Sequence, residues 1–414
     1  MLVFIKFYLG QVLPANFDLP GLTMLPILLS TWKKILRILA SLFGIRRGEL
    51  TMEGGVVSER DVRQKAYSWC RDSLHGSWAK ITVDEIIVKH LSGGLTNFLY
   101  LCYLPDNLDP EAGEPTCVLL RIYGHIAKSS KEFVVHNSVV FALLSEKGMG
   151  PKLYGIYHDG RIEEYIPTRA LSTSELSIPS ISRLIARKLA QFHQLDMPLC
   201  KEPRWLKNIV EGWLAEIKNN FSKHTETNPK MRKLMAFNLE QEFKELLLIL
   251  SRVRSPVVFC HNDLQEGNIL YLKDEPNPAR QMTVIDWEYC SYNFRGFDIG
   301  NHFIESCYDY TNPEEPMFYH IPEQYPSRTQ QYAFFREYLK SFGREEEDIS
   351  ETELAMMYIE VNTYVLGSHF LWGTWAIMQA ETCKIEFDYL DLAISRFESY
   401  FEMKKRLPTL GSED

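Results

Sequence analysis

His261-Asn262-Asp263-Leu264-Gln265-Glu266-Gly267-Asn268-Ile269-Leu270-Tyr271-Leu272 sets an Asp two residues after a His and an Asn five residues after that Asp, ahead of an apolar run that reads as a strand. Eighteen residues beyond Asn268, past a further loop and strand, Asp286 stands in Val284-Ile285-Asp286-Trp287-Glu288-Tyr289. Phosphoryl transfer calls for such a set: a carboxylate to accept or orient the proton of the attacking hydroxyl, and an amide oxygen with a second carboxylate to hold magnesium ions on the nucleotide phosphates. Asp263 suits the first task, Asn268 and Asp286 the second. Either motif alone is weak, because Asp and Asn favour turns for their own reasons; their order and strand flanks make the conjunction specific. His261 is expected in this pattern to bond nearby backbone and shape the loop, with Gln265 and Glu266 shaping it too.

Towards the N-terminus, a helical run near 58–75 precedes strand-like segments at Glu85–His90, Phe98–Leu104 and Cys117–Tyr123, a helix over 132–147, and strands near Lys152–Tyr157 and Arg161–Ile166. Three strands, a helix and two strands predict a small lobe on an antiparallel sheet. Between the first two strands lies Ser92-Gly93-Gly94-Leu95-Thr96-Asn97, where backbone N–H groups can approach phosphates with no Cβ in the way; a plain hairpin turn fits it equally. Arg121 interrupts an apolar strand, and such a cation needs either a phosphate or a carboxylate.

Towards the C-terminus the pattern turns helical, through 182–195, one long stretch at 229–253, then 327–342 and 351–405. Strand-like pieces at Val257–Cys260 and Met282–Asp286 interrupt it, and a Pro- and Tyr-rich loop spans 311–327. Trp372 and Trp375, three residues apart, share a helix face; spacing alone makes them core.

The 414 residues, 45% hydrophobic and 24% charged, suit a folded chain too long for one core. A net charge of −9 argues against nucleic acid as partner. The eight cysteines form no C-x-x-C pair, so a reducing cytoplasmic setting is expected rather than a disulfide or zinc framework. Residues 1–57 read as an extension. Its stretch from Trp32 to Phe43 forms a basic amphipathic pattern capped by Ser30 and Thr31, compatible with peripheral contact to an anionic membrane or with packing on the body of the protein; Met52 is an alternative start.

HNDLQEGN, IDWEYCSYNFRGFDIGNHFIE and SHFLWGTWAIMQA together resemble the choline/ethanolamine kinase family, in its choline kinase branch, over residues 58–405. The resemblance implies an α+β, bilobal, protein-kinase-like fold: an N-terminal ATP-binding lobe (58–167) on an antiparallel sheet and a mostly helical C-terminal catalytic and substrate-binding lobe (168–408). It implies ATP and Mg2+ as cofactors, Asp263 as base, and Asn268, Asp286 and Glu288 around the metal. ATP would be held by the Ser92–Asn97 loop, Arg121 and Gln265, with Glu164, Tyr165 and Ile166 as the hinge on adenine. Choline would sit among Tyr289, Glu305, Tyr310, Trp372, Trp375, Phe387 and Tyr389, beside Asp263. Such a cage suits choline, because a quaternary ammonium has no N–H to donate and is held by aromatic faces; ethanolamine is expected as a weaker substrate. The product would be phosphocholine for phosphatidylcholine synthesis, made by a cytoplasmic homodimer. A protein kinase proper is not expected: D-F-G and A-P-E are absent, and Asp286 stands in D-W-E instead. Two positions depart from the family: Asn137 where a Glu would pair with Arg121, with Glu132 a nearby substitute whose offset of five residues puts it on a different face, and Leu392 where a cage aromatic is usual. The alternatives are an ethanolamine-preferring kinase and a catalytically weak member kept as a partner or scaffold.

Overall fold

The computed structural model describes residues 58–91, 97–108, 110–123, 131–220, 228–273, 275–277, 281–383 and 387–407. The basic amphipathic pattern of the extension, the Ser92–Thr96 part of the glycine-bearing turn and the side chain of Glu132 lie outside them. The chain divides into two compact units at Pro167/Thr168.

In the N-terminal unit, helix α1 (Glu59–Ser73) begins at Ser58, whose hydroxyl accepts from the Asp61 N–H at 3.2 Å. Its buried Val62, Ala66, Trp69 and Cys70 form one helical stripe. Strands β1 (Ile87–Leu91), β2 (Asn97–Tyr103) and β3 (Cys117–Tyr123) are followed by helix α2 (Lys131–Glu146), then β4 (Leu153–Tyr157) and β5 (Gly160–Glu164). The strands form one antiparallel sheet in the order β1-β2-β3-β5-β4. The α1 stripe packs with Val118, Leu120, Ile122 and Ile162 of that sheet in the unit's core.

In the C-terminal unit, the short β6 (Arg169–Ala170) leads to α3 (Pro179–His193) and α4 (Trp205–Asn220). The stretch expected as one helix at 229–253 is two, α5 (Pro229–Ala236) and α6 (Leu239–Ser251). Asn238 between them takes φ 50°, a left-handed conformation that Asn tolerates and that ends a helix. Then come β7 (Val257–Cys260), β8 (Ile269–Tyr271), β9 (Met282–Val284), β10 (Ser291–Phe294) and α7 (Arg295–Glu305). The remainder comprises β11 (Tyr308–Asp309), β12 (Tyr319–His320), α8 (Arg328–Lys340), the 32-residue α9 (Glu351–Thr382) and α10 (Tyr389–Arg406). Helix α7 packs against α9 by way of Gly300. A Cβ there would lie 3.1 Å from the Val361 carbonyl oxygen, so any larger residue would push the helices apart. The described part of the 311–327 loop is not structureless: β12 pairs with β11. No helix among the described residues is long and apolar enough to cross a membrane.

Three short pairings deliver the motif. β7 pairs with β10 and ends at Cys260, one residue before His261. β8 follows Asn268 directly and pairs with β9 so that Ile269 faces Val284. That register puts Asn268 beside Ile285, whose N–H donates to the Asn268 carbonyl at 2.9 Å. Asp286 is the next residue.

Candidate active site

The loop between β7 and β8 is fixed from beneath by one buried carboxylate. Asp298, fully buried on α7, accepts from the backbone N–H groups of His261 at 2.8 Å and Asn262 at 2.7 Å. His193 of α3 donates to it at 2.9 Å through Nε2, while its Nδ1 meets the Tyr338 hydroxyl at 2.9 Å. Burial pushes the Asp298 carboxyl up, but His193 and the His261 ring and amide outweigh it and hold it below the ordinary aspartate range. The ligand atoms of His193, Cys260 and Asp298 lie close enough to share a metal. Both ring nitrogens of His193 are already engaged, however, so the cluster holds the loop instead.

His261 is 1% exposed. Its Nε2 donates to the Ile285 carbonyl at 3.0 Å and its Nδ1 accepts from the Asp263 N–H at 3.2 Å. One neutral ring thus joins the two halves of the motif, and burial keeps it neutral by lowering its pKa. Asn262 and Asp286 both lie in the left-handed region, at φ 67° and 63°, each costing on the order of 1 kcal/mol. Asn262 is held there by donating to the Tyr289 carbonyl at 2.9 Å and accepting from Asn293 at 2.8 Å.

Asp263 sits among negative charges. Burial first, then Glu305, Asp286 and Glu288, push its carboxyl well above the usual range, with Asn268 opposing. Asn268 donates through Nδ2 to the Asp263 carbonyl at 2.8 Å and to Oδ2 at 3.0 Å. This turns its amide oxygen away as a spare acceptor. Gln265 caps the short turn that follows, its side-chain oxygen accepting from the Gly267 N–H at 3.2 Å.

The aromatic residues named from sequence form a chain of ring contacts. Tyr289 meets Trp372 edge-on at 5.5 Å, Trp372 meets Trp375 at 5.7 Å, and Trp375 meets Tyr389 at 5.9 Å. Tyr389 touches Phe387 at 4.8 Å, and Phe387 reaches Tyr310 at 6.4 Å. Burial first, then the charges of Glu288, Asp263 and Asp286, raise the Tyr289 pKa well above the ordinary phenol. The two tryptophans differ in role. Trp372 is buried in the core, its Nε1–H donating to Asn301 at 2.7 Å, whereas Trp375 is only half-buried at the core's margin. Leu392 is 2% exposed within the same core.

Glu305, placed by the family resemblance beside the substrate, is already engaged within the protein. Arg396 of α10 donates to its Oε1 at 2.9 Å and to the Tyr310 hydroxyl at 2.6 Å, and Tyr310 donates to Oε2 at 3.1 Å. The Arg396 guanidinium lies 3.7 Å over the Tyr308 ring. Arg396, absent from the sequence reading, was signalled by its place on the buried stripe of Leu392, Ala393, Phe397 and Tyr400.

In the N-terminal unit, Arg121 has its carboxylate in spite of Asn137. Glu163 on β5 meets it at 3.2 Å and also binds Arg161. The Glu was sought on α2; it comes from the neighbouring strand. The Glu164 N–H donates to the Lys152 carbonyl at 2.8 Å and its carboxylate accepts from the Lys152 N–H at 3.0 Å, so of the hinge segment only half-buried Tyr165 and Ile166 keep backbone groups outside the sheet. Asn97 opens β2 opposite Tyr123. Because Arg121 is already matched, Asn137→Glu should shift the ATP KM by no more than about twofold, the range of a substitution that adds no missing partner; steady-state kinetics over an ATP series would read it.

The family model for choline/ethanolamine kinase matches residues 88–401. The chain belongs to the choline/ethanolamine kinase family. It is 45% identical over 359 residues to a human choline/ethanolamine kinase, covering 85% of this chain and 89% of that one. To mouse choline kinase alpha it is 43% identical over 373 residues, covering 84% and 82%. Among solved structures it resembles a choline kinase from Cryptosporidium parvum Iowa II with a TM-score of 0.69 at 29% identity, covering 84% of this chain and 97% of that chain. The family's protein-kinase-like α+β fold is the one described above.

Proposed function

We propose that the chain transfers the γ-phosphoryl group of ATP to the hydroxyl of choline, giving phosphocholine for phosphatidylcholine synthesis, and phosphorylates ethanolamine more slowly. The observation that carries this is the position of Tyr289: one phenol lies in the field of Asp263 while its ring meets Trp372, which in turn meets Trp375. A hydroxyl bound at the carboxylate end therefore has its ammonium at the aromatic end. Arg396 and Tyr310 already occupy both oxygens of Glu305. Direct N–H bonds from ethanolamine to Glu305 are thereby weakened, while cation–π contact with choline is untouched.

In this reading Asp263 accepts the substrate proton at Oδ1, since Asn268 occupies Oδ2. The hydroxyl oxygen then bonds phosphorus as the bond to the ADP oxygen breaks. The donor set suits Mg2+: the spare amide oxygen of Asn268 and the carboxylates of Asp286 and Glu288 are hard oxygen ligands, and both carboxylates disfavour the charge on Asp263. When bound, Mg2+ neutralises charge developing on the transferred phosphoryl group. Arg121, oriented by Glu163, is the phosphate-binding cation of the N-terminal unit. A cytoplasmic homodimer belongs to the same proposal, as a property expected of the family.

The test is ATP consumption by the full chain with magnesium and choline, ethanolamine or no acceptor. Choline-dependent turnover exceeding that with ethanolamine supports the reading; a folded protein with no acceptor-dependent turnover overturns it in favour of a scaffold. Within it, Trp375→Ala should raise the choline KM by about 30-fold, the loss of a desolvated cation–π contact of about 2 kcal/mol, while kcat falls less. The ethanolamine KM should move less than the choline KM. Equal changes for both substrates would remove Trp375 from the ammonium site.

A further inference from the structure

A cavity of about 240 Å³ opens between the start of α3, the last turns of α7 and the first turns of α8, all within the C-terminal unit. Its lining contains none of the residues assigned above to catalysis or to the aromatic chain. Phe303 and Phe334 form its apolar walls, with His302 among them. The volume exceeds the ~150 Å³ that suffices for a benzene-sized guest in an apolar cavity.

His302 gives the cavity a built polar end. Only 3% of its surface is exposed, and its Nδ1 donates to the Leu264 carbonyl at 3.1 Å. With that proton on Nδ1, Nε2 carries a lone pair. No group among the described residues donates to Nε2, and His302 lines the cavity. Burial lowers the imidazole pKa to about 4, so the ring stays a neutral acceptor. Phe303 and Phe334, 6.1 and 5.7 Å from the ring centroid, hold it in place.

The mouth has the opposite character. Arg183, exposed on α3, borders it and makes no ion pair among the described residues. Ser182 of the first turn of α3 and Thr329 of the first turn of α8 border it too, so two helix N-termini add their partial positive charge. From floor to mouth the order is a hydrogen-bond acceptor, an aromatic-walled middle and a cationic rim.

We propose that this cavity is a second small-molecule site, taking a ligand with a hydroxyl donor at its inner end, a flat apolar body and an anionic outer end. A hydroxyaryl carboxylate is the class that meets all three. The inner hydroxyl bonds the imidazole whose other nitrogen holds Leu264, the neighbour of Asp263. The site therefore touches the catalytic loop from behind without entering the aromatic chain.

The test is calorimetric titration of the full chain with 4-hydroxyphenylacetate, a readout independent of turnover. One saturable site is expected, bound about tenfold more tightly than phenylacetate, which lacks the donor, or 4-methylphenol, which lacks the anion, each loss being that of one good hydrogen bond or ion pair. Saturating choline should not displace the probe. Ala333→Trp, at an exposed position on the rim, should abolish binding. Arg183→Glu should weaken the carboxylate probe but not 4-methylphenol, so that a folding defect in the first variant leaves the second to decide. No saturable binding, equal affinity for all three compounds, displacement by choline, or indifference to Arg183→Glu would each overturn the proposal.

Discussion

Replacing Asp263 with Ala should lower choline-dependent turnover by about 10²- to 10⁴-fold, the contribution of a positioned general base, while the metal-free protein unfolds at the same temperature or higher. The two effects share one cause. Asp263 is half-buried, and Glu305, Asp286 and Glu288 all disfavour its charge. Without a cation the folded chain holds this carboxylate at a cost, as reactive groups commonly are held. Removing it relieves the repulsion and leaves the loop's supports in place: Asp298 still binds the amides of His261 and Asn262, and His261 still bridges to Ile285. Asp263→Asn should behave alike in turnover and keep the bond from Asn268. Kinetics with thermal unfolding in chelator would check both halves. Wild-type turnover would remove Asp263 as base; a large drop in unfolding temperature would make it a structural residue.

What sequence could and could not disclose follows from the range of each interaction. β3 was legible to the residue, Cys117–Tyr123, because a run buried on both faces carries its own boundaries. The antiparallel character of the N-terminal sheet was legible too, whereas its order β1-β2-β3-β5-β4 was not, because β4 and β5 join it after an intervening helix. Helix α7 was not legible. Arg295-Gly296-Phe297-Asp298-Ile299-Gly300-Asn301 has the composition of a turn, and it is helical because its glycines let it lie against α9. The break at Asn238 carried only the weak signal of an Asn between two helical patterns. The aromatic pocket was readable as a set of types, but the division between Trp372, tied to Asn301, and half-buried Trp375 depends on which face α7 covers. Ion pairs were the least legible. That Arg121 needs a carboxylate is chemistry; that Glu163 supplies it depends on strand register, and that Arg396 binds Glu305, 91 residues away, depends on tertiary packing.

Glu163→Gln is expected to destabilise the folded chain by about 3–5 kcal/mol at pH 7, the cost of removing one charged partner from a buried ion-pair cluster. In the β3–β5 ladder Arg121 stands directly opposite Arg161, and Glu163 lies two residues further along the same face. All three are nearly inaccessible, at 6%, 5% and 2% exposure. Two guanidinium groups facing each other across a ladder repel, and one carboxylate reconciles them: Oε1 meets Arg121 and Oε2 meets Arg161, whose guanidinium also lies 4.0 Å over the Phe141 ring. A neutral amide keeps the shape but not the charge. The pH dependence has a definite sign. Burial pushes the Glu163 carboxyl up, but Arg121 and Arg161 outweigh it and hold it below its ordinary value of 4.5. The stability it contributes is therefore fully present above that value and is lost as pH falls through the depressed folded pKa. Denaturant midpoints of wild type and Glu163→Gln should differ most near pH 7 and converge on acidification below pH ~4, where the unfolded-state glutamate protonates. If Arg121 is the phosphate cation, the ATP KM should rise in the same variant while the choline KM stays put, since the aromatic chain and Asp263 belong to other elements. A midpoint equal to wild type across this range would mean that the two arginines are balanced by something other than Glu163.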